Sequence, residues 1–164
     1  MILVGLGSNL GASTGIIQSA MQGLAVFADG EFRQSGLWRT SPVDCPPDSG
    51  DFINAVVSFE MRQEIDPQAL LVNMKQLERE YGREGPTIKN APRELDLDLL
   101  VYGDIQMQHE GLVLPHPRAK DRKFVLAPAA QVVPGLIWPG TDKTVLELLE
   151  ALDSDEVVTL IGAC

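Results

Sequence analysis

The chain has 164 residues, 45% hydrophobic and 22% charged, with a formal net charge of −10. That size and composition suit one folded domain spanning 1–164, and the acidic balance argues against nucleic acid as a partner. No apolar run approaches the roughly 18 residues that span a bilayer, the opening "MILVGLGSNLG" lacks the basic start of a secretory leader, and Cys45 and Cys164, without metal-ligand spacing, suit free thiols in a reducing cytosol.

In chain order, Ile2 to Leu6 reads as a short apolar strand. "GSNLGAS" is a turn in which Ser13 is placed to cap the next helix. Ile17, Ala20, Leu24 and Phe27 recur at helical spacing, and "ADG" is expected to close that helix. Phe32 to Trp38 reads as a strand, followed by the loop "RTSPVDCPPDSGD". Phe52 to Phe59 is strongly β-forming. "DPQALLVNMKQLEREYG" is the clearest helix, with Asp66 as cap, Pro67 in the first turn, Gly82 at the end and a core stripe of Leu70, Met74, Leu77 and Tyr81. A loop then leads to a strand at "RELDLDLLVYG". The order strand, helix, strand, strand, helix, strand predicts a ferredoxin-like βαββαβ α+β fold, an antiparallel sheet with both helices on one face. A short hairpin, the loop "LPHPRAKDRKF", an apolar stretch to Val133 and a helix near Thr144 to Leu152 are expected to follow as C-terminal additions.

The Asp strand raises a question of cost. Leu95, Leu97 and Leu99 alternate with Asp96 and Asp98, so the leucines face one way and the carboxylates the other. Like charges on one face of a strand repel, and Asp is a poor strand former. A hard divalent cation would repay this, because Mg²⁺ takes one or two carboxylates plus substrate phosphates. Two such ions roughly 3.5–4 Å apart can clamp a transferring phosphoryl group. A strand with one wet face is the simpler reading of a lone DxD, so other segments must decide.

Charge distribution supplies part of the answer. From Arg83 to Lys123 there are seven basic and seven acidic residues, while the remainder holds six and sixteen and carries the whole −10. With Asp96 and Asp98 neutralised by metal, the central stretch becomes positive and suits a polyphosphate. His116 travels with Arg118, Lys120, Arg122 and Lys123 on a proline-constrained loop that could grip phosphate; His109 reads as surface. "GLGSNLG" lacks the glycine and the Gly-Lys-Ser/Thr of the nucleotide-binding loops, which leaves a tight turn using Gly5, Gly7 and Gly11 for backbone freedom. Phe52 and Phe124 read either as core aromatics or as rings that stack on a flat ligand. Asn54 shares the strand face of Phe52 and offers donor and acceptor groups to a heterocycle edge, or satisfies nearby backbone.

"GLGSNLG", "WRTSPV", "FINAVV", "LEREYGR", "APRELDLDLLVYG" and "LPHPRAKDRKFVLAPAAQVVP", in this order and spacing from about Leu3 to Pro134, resemble the 6-hydroxymethyl-7,8-dihydropterin pyrophosphokinases of folate synthesis. The resemblance implies transfer of the terminal pyrophosphate of ATP, as co-substrate, to the pterin hydroxymethyl group, with two Mg²⁺ ions bridging the phosphates. It implies that Asp96 and Asp98 are metal ligands. Arg93, His116 and Arg122 would contact phosphate, and Phe52 and Phe124 would sandwich the pterin. Asn54 would anchor it, helped by backbone of Thr40, Pro42 and Val43. Lys75, Glu78 and Arg83 would stand on the ATP side, with Leu99, Leu112 and Val113 around the adenine. The loop from Arg83 to Arg93 is expected to close over both substrates, although Gly85 and Asn90 depart from the pattern, as do Lys75 and Pro117 outside it. No residue stands out as a general base. A non-catalytic binding module on the same fold, or a transferase for a modified pterin, are the alternatives. A cytoplasmic monomer free of membrane is expected.

Overall fold

A computed structural model describes residues 1–41, 50–62, 65–81 and 94–162. The elements are β1 (Ile2–Ser8), α1 (Ser13–Ala25), β2 (Ala28–Gln34), β3 (Leu37–Thr40), β4 (Phe52–Met61), α2 (Pro67–Glu80), β5 (Asp96–Tyr102), β6 (Met107–His109), β7 (Leu112–Leu114), α3 (Lys123–Val132), α4 (Val145–Ala151) and β8 (Val158–Gly162). The fold is α+β. Its main sheet runs β5-β1-β4-β3-β8, with β2 also paired to β4. All these pairings are antiparallel. β6 and β7 form a separate hairpin.

Strand alternation splits the interior into two cores. Val4, Leu6, Ala55, Val57, Leu97 and Leu99 meet Ile17, Met21 and Leu24 of α1 and Leu70 and Met74 of α2. On the other face Leu3, Val56, Leu100 and Val101 meet Val125, Leu126 and Ala129 of α3, with Trp138 and Val145 beyond. The register between β1 and β5 shifts at Leu3/Val4. This irregularity brings the consecutive residues Leu100 and Val101 into the same core, which regular alternation forbids.

Several local expectations are corrected. Ser13 is not the cap of α1; the cap position is Ala12, and the Ser13 hydroxyl lies 2.9 Å from that of Ser8 at the end of β1. "ADG" does not close α1 but opens β2, where Gly30 at φ +77° accompanies a register shift against β4. The stretch Phe32 to Trp38 is two strands. At the break, Ser35 keeps contact with β4 through its N–H to the Val56 carbonyl, 2.9 Å, and its hydroxyl accepts from the Val56 N–H, 2.9 Å. Of the three N-terminal glycines only Gly11, φ +72°, uses left-handed backbone; Gly5 and Gly7 lie inside β1. Asp66 does cap α2, its carboxylate accepting from the Ala69 N–H at 2.9 Å. β8, which no pattern suggested, adds a strand beside β3.

β8 lies close over Gly36. A Cβ built there would stand 2.6 Å from the Gly162 carbonyl oxygen and 2.7 Å from a Leu160 methyl. Gly36→Ala is therefore expected to lower unfolding stability by about 1–3 kcal/mol, the usual cost of overpacking. It should also raise amide exchange in β8 more than in β1. Denaturant unfolding with hydrogen exchange checks this, and unchanged β8 protection would contradict it.

Candidate functional site

The site is built on the face of the sheet that carries the second core, at the end α3 leaves uncovered. Cross-strand partners share a face, and register aligns two rows. In one, Trp38, Asn54, Gly7 and Asp96 stand side by side; in the next, Val56, Gly5 and Asp98 do. Adjacent strands lie about 4.8 Å apart, so roughly 10 Å separates the backbones of Asn54 and Asp96. Only glycine lies between them. A Cβ on Gly7 would stand 3.3 Å from the Asn54 Oδ1, and one on Gly5 would stand 3.4 Å from a Leu100 methyl. Gly7 thus keeps the floor between the carboxylates and the amide free of a side chain of its own, while Gly5 makes room for Leu100.

The alternation of β5 holds as the sequence indicates. Leu95, Leu97 and Leu99 are buried, Asp96 is half-buried and Asp98 is exposed. The outer edge of this strand is closed by two unrelated groups. Glu78 of α2, only 1% exposed, accepts from the Leu97 N–H at 2.8 Å and from the Lys75 ammonium at 2.9 Å. Three residues on, the His116 N–H donates to the Leu100 carbonyl at 2.8 Å. Burying a carboxylate costs several kcal/mol unless its hydrogen bonds are made, and here a cation and a strand N–H both serve it. Glu78 therefore points at the strand that carries the acids.

His116 is half-buried. Burial is the largest cause pushing its pKa down, and the Arg118 charge adds to it; Asp96 pulls the other way. The imidazole is thus neutral at pH 7. Its Nδ1 accepts from the Arg118 N–H at 3.3 Å, which leaves the proton on Nε2 as a donor.

Arg122 and Phe124 flank the start of α3. The Arg122 guanidinium lies 5.8 Å from the Phe124 ring centre and 3.1 Å from the Glu156 carboxylate. Phe124 packs on the edge of the second core. Phe52 shares the face of Asn54 by alternation and is half-buried. The Asn54 Nδ2 donates to the Thr40 hydroxyl at 2.8 Å, and both residues are buried. That bond fixes the amide with its Oδ1 toward Gly7.

Of the residues singled out from sequence, Asp96, Asp98, Asn54, Thr40, Phe52 and Phe124 thus belong to one face, and the bond from the His116 N–H to the Leu100 carbonyl ties that loop to the edge of the Asp strand. Leu99 and Leu112 do not line it; they are buried in the first core, and Val113 is half-buried beside them. Pro42, Val43, Arg83 and Arg93 lie outside the described residues, as do Gly85 and Asn90 and with them the expected lid. Sequence reasoning missed the roles of Gly5 and Gly7, whose spacing of two matches that of the aspartates. It also missed Glu156, for which no pattern exists in "DSDEVV".

Among the described residues no group of three or more His, Cys, Asp or Glu side chains could hold a metal ion. An all-protein cage is thus absent there. A pair of hard oxygen donors on one strand nonetheless suits Mg²⁺, which keeps water and phosphate oxygens for its remaining positions.

Comparison with known proteins fits this geometry. Residues 3–134 match the family model of 7,8-dihydro-6-hydroxymethylpterin-pyrophosphokinase. The chain belongs to this family. A 2-amino-4-hydroxy-6-hydroxymethyldihydropteridine pyrophosphokinase of Synechocystis is 37% identical over 94% of this chain and 77% of its own length. One of the same description from Methylorubrum extorquens is 35% identical over 92% of each chain. Among solved structures, the Plasmodium falciparum HPPK-DHPS with pteroate superposes with a TM-score of 0.68 at 14% identity. This pyrophosphokinase chain is 91% covered in that match and spans about two-fifths, 41%, of the solved one. At that identity the likeness concerns the fold.

The histidine gives a direct test of the corner. In the ligand-free protein, His116 should titrate below the ordinary histidine value, and Asp96→Asn should lower the midpoint further. The unfolded chain takes up this proton first, so acidification from the ordinary value down to the folded midpoint costs stability. NMR titration of the imidazole carbons reads both; a midpoint unmoved or raised by Asp96→Asn would contradict the arrangement.

Proposed function

We propose that this chain transfers the terminal pyrophosphate of ATP to the hydroxymethyl group of 6-hydroxymethyl-7,8-dihydropterin, giving AMP and the pterin diphosphate, a step of folate biosynthesis. The observation that carries the reading is the pair Asp96 and Asp98 set across a glycine floor from a fixed asparagine, in a chain whose relatives are named for this activity. The frame is a single ferredoxin-like domain, 1–164, supported by the strand order β5-β1-β4-β3 and by α1 and α2 packing into one core.

Each residue then has a task. Asp96 and Asp98 hold two Mg²⁺ ions, which when bound neutralise phosphate charge and align the polyphosphate. His116 donates from Nε2 to a phosphate oxygen, and Arg122 offers its guanidinium to the same group. Arg93 joins them on the phosphate. Asn54, held by Thr40, reads the polar edge of the pterin, with Pro42 and Val43 supplying backbone, and Phe52 and Phe124 stack on its faces. Lys75 and Arg83 stand on the ATP side with Val113, while Glu78, Leu99 and Leu112 support that side from within. No general base is assigned, because a loose phosphoryl-transfer transition state leaves catalysis to positioning and charge. The enzyme acts as a cytoplasmic monomer on small molecules, without nucleic acid or membrane.

Two sets of variants test this. Asp96→Ala and Asp98→Ala should each lower turnover by roughly 10²- to 10³-fold, the scale of losing one transition-state stabilising group, with circular dichroism unchanged. Near-normal turnover of both at saturating Mg²⁺ would refute the assignment. Phe52→Ala and Phe124→Ala should each weaken pterin binding about 5- to 150-fold, from roughly 1–3 kcal/mol of lost stacking. ATP affinity should barely change. Calorimetric titration measures both ligands, and equal losses would instead mean collapse of a core position.

A further inference from the structure

Glu156 has a place the mechanism leaves unexplained. It precedes β8, and its side chain is only 9% exposed. One carboxylate oxygen faces the Arg122 guanidinium at 3.1 Å. The other accepts from the Lys123 N–H at 2.7 Å and the Phe124 N–H at 3.3 Å. These are first-turn amides of α3, which have no partner within the helix and favour a negative charge. The residue at the cap position, Arg122, offers no side-chain oxygen for them. A remote carboxylate supplies the missing cap.

The same residue is tied to the opposite wall. The Glu156 N–H donates to the Ser154 hydroxyl at 3.2 Å. Two residues on, Val158 pairs with Thr40 across β8 and β3, and Thr40 holds Asn54. A short path thus joins the Phe124 side of the site to the Asn54 side through one carboxylate. The guanidinium proposed for phosphate is meanwhile held on a charged partner near the Phe124 ring.

We propose that Glu156 is a positioning residue, which fixes the Arg122–Phe124 segment against the β8–β3 edge so that the Phe124 ring is set for the pterin; this rests on the function proposed above. It touches neither substrate. Removing it should loosen the first turn of α3 and degrade pterin binding more than ATP binding, which feels only the freed Arg122 guanidinium.

The test uses the full chain with Glu156→Ala and Glu156→Gln. In Glu156→Ala, amide exchange at Lys123 and Phe124 should speed up about tenfold or more, and the pterin KM should rise about tenfold, the equivalent of one charge-assisted hydrogen bond. The ATP KM should move clearly less than the pterin KM, through the freed Arg122 alone. Glu156→Gln keeps an oxygen for the two amides, so it should restore both exchange and pterin KM most of the way. A merely structural role would lower the melting temperature without splitting the two KM values or being rescued by glutamine. If Glu156→Ala does not fold, Glu156→Asp replaces it; its shorter side chain cannot reach all three donors, so the same changes are expected. Unchanged exchange at Lys123 and Phe124, or equal shifts in both KM values, would overturn the proposal. A wild-type protein that neither binds nor turns over the pterin would overturn the functional reading instead, and the exchange data would still judge the latch.

Discussion

Strand β1 is the constraint on which the rest depends. It lies between β4 and β5, so every group on the far strands is placed by its register. Its odd and even positions do opposite work. Ile2, Val4 and Leu6 fill the first core, while Leu3 enters the second, Gly5 makes room for Leu100 and Gly7 leaves space beside Asn54. Any side chain at Gly7 would press on the asparagine amide at 3.3 Å, and interiors packed like crystals have little slack to absorb that. The carboxylates and the amide can face a common ligand because the strand between them has no side chains there.

Rigidity at the acids comes from outside the strand pair. β5 ends the main sheet, and such an edge presents unpaired N–H and C=O groups. Here the Glu78 carboxylate takes the Leu97 N–H and the His116 backbone takes the Leu100 carbonyl. The edge is thereby fixed on both sides of Asp98. His116 is held in place by its own backbone bond, and its ring is oriented by the Arg118 N–H. One short loop thus closes the sheet and aims a donor.

Much of this was legible in the sequence because it rests on local periodicity. The Leu/Asp alternation of β5, the Asp66 cap and the Leu70–Met74 stripe are read within a few residues, and the structure keeps them. Features set by distant contacts were not. Gly36 is glycine because β8 crosses above it, and Glu156 is buried because α3 starts beside it, more than thirty residues away in sequence. A glycine cluster after an apolar run is the usual signal for a turn, so from sequence Gly5 and Gly7 look like turn glycines. Their meaning appears only when Asn54 and Asp96 stand on either side. Leu99, placed around the adenine by resemblance alone, sits by its parity on the strand in the first core.

The second core is the thinner of the two at this end. α3 covers Leu3, Val56 and Leu100 but stops short of the glycine floor, where Phe52 and Phe124 remain half-buried. A flat heterocycle bound between them would stand where a protein of this construction ordinarily has one more layer of its own side chains. On the function proposed, the pterin would in that sense be a removable part of the interior. Folding and occupancy are then coupled through mass action, adding about 2.7 kcal/mol of stability at a hundred times the dissociation constant. In a cell, the lifetime of such a protein against proteolysis would rise and fall with the supply of the molecule that completes it.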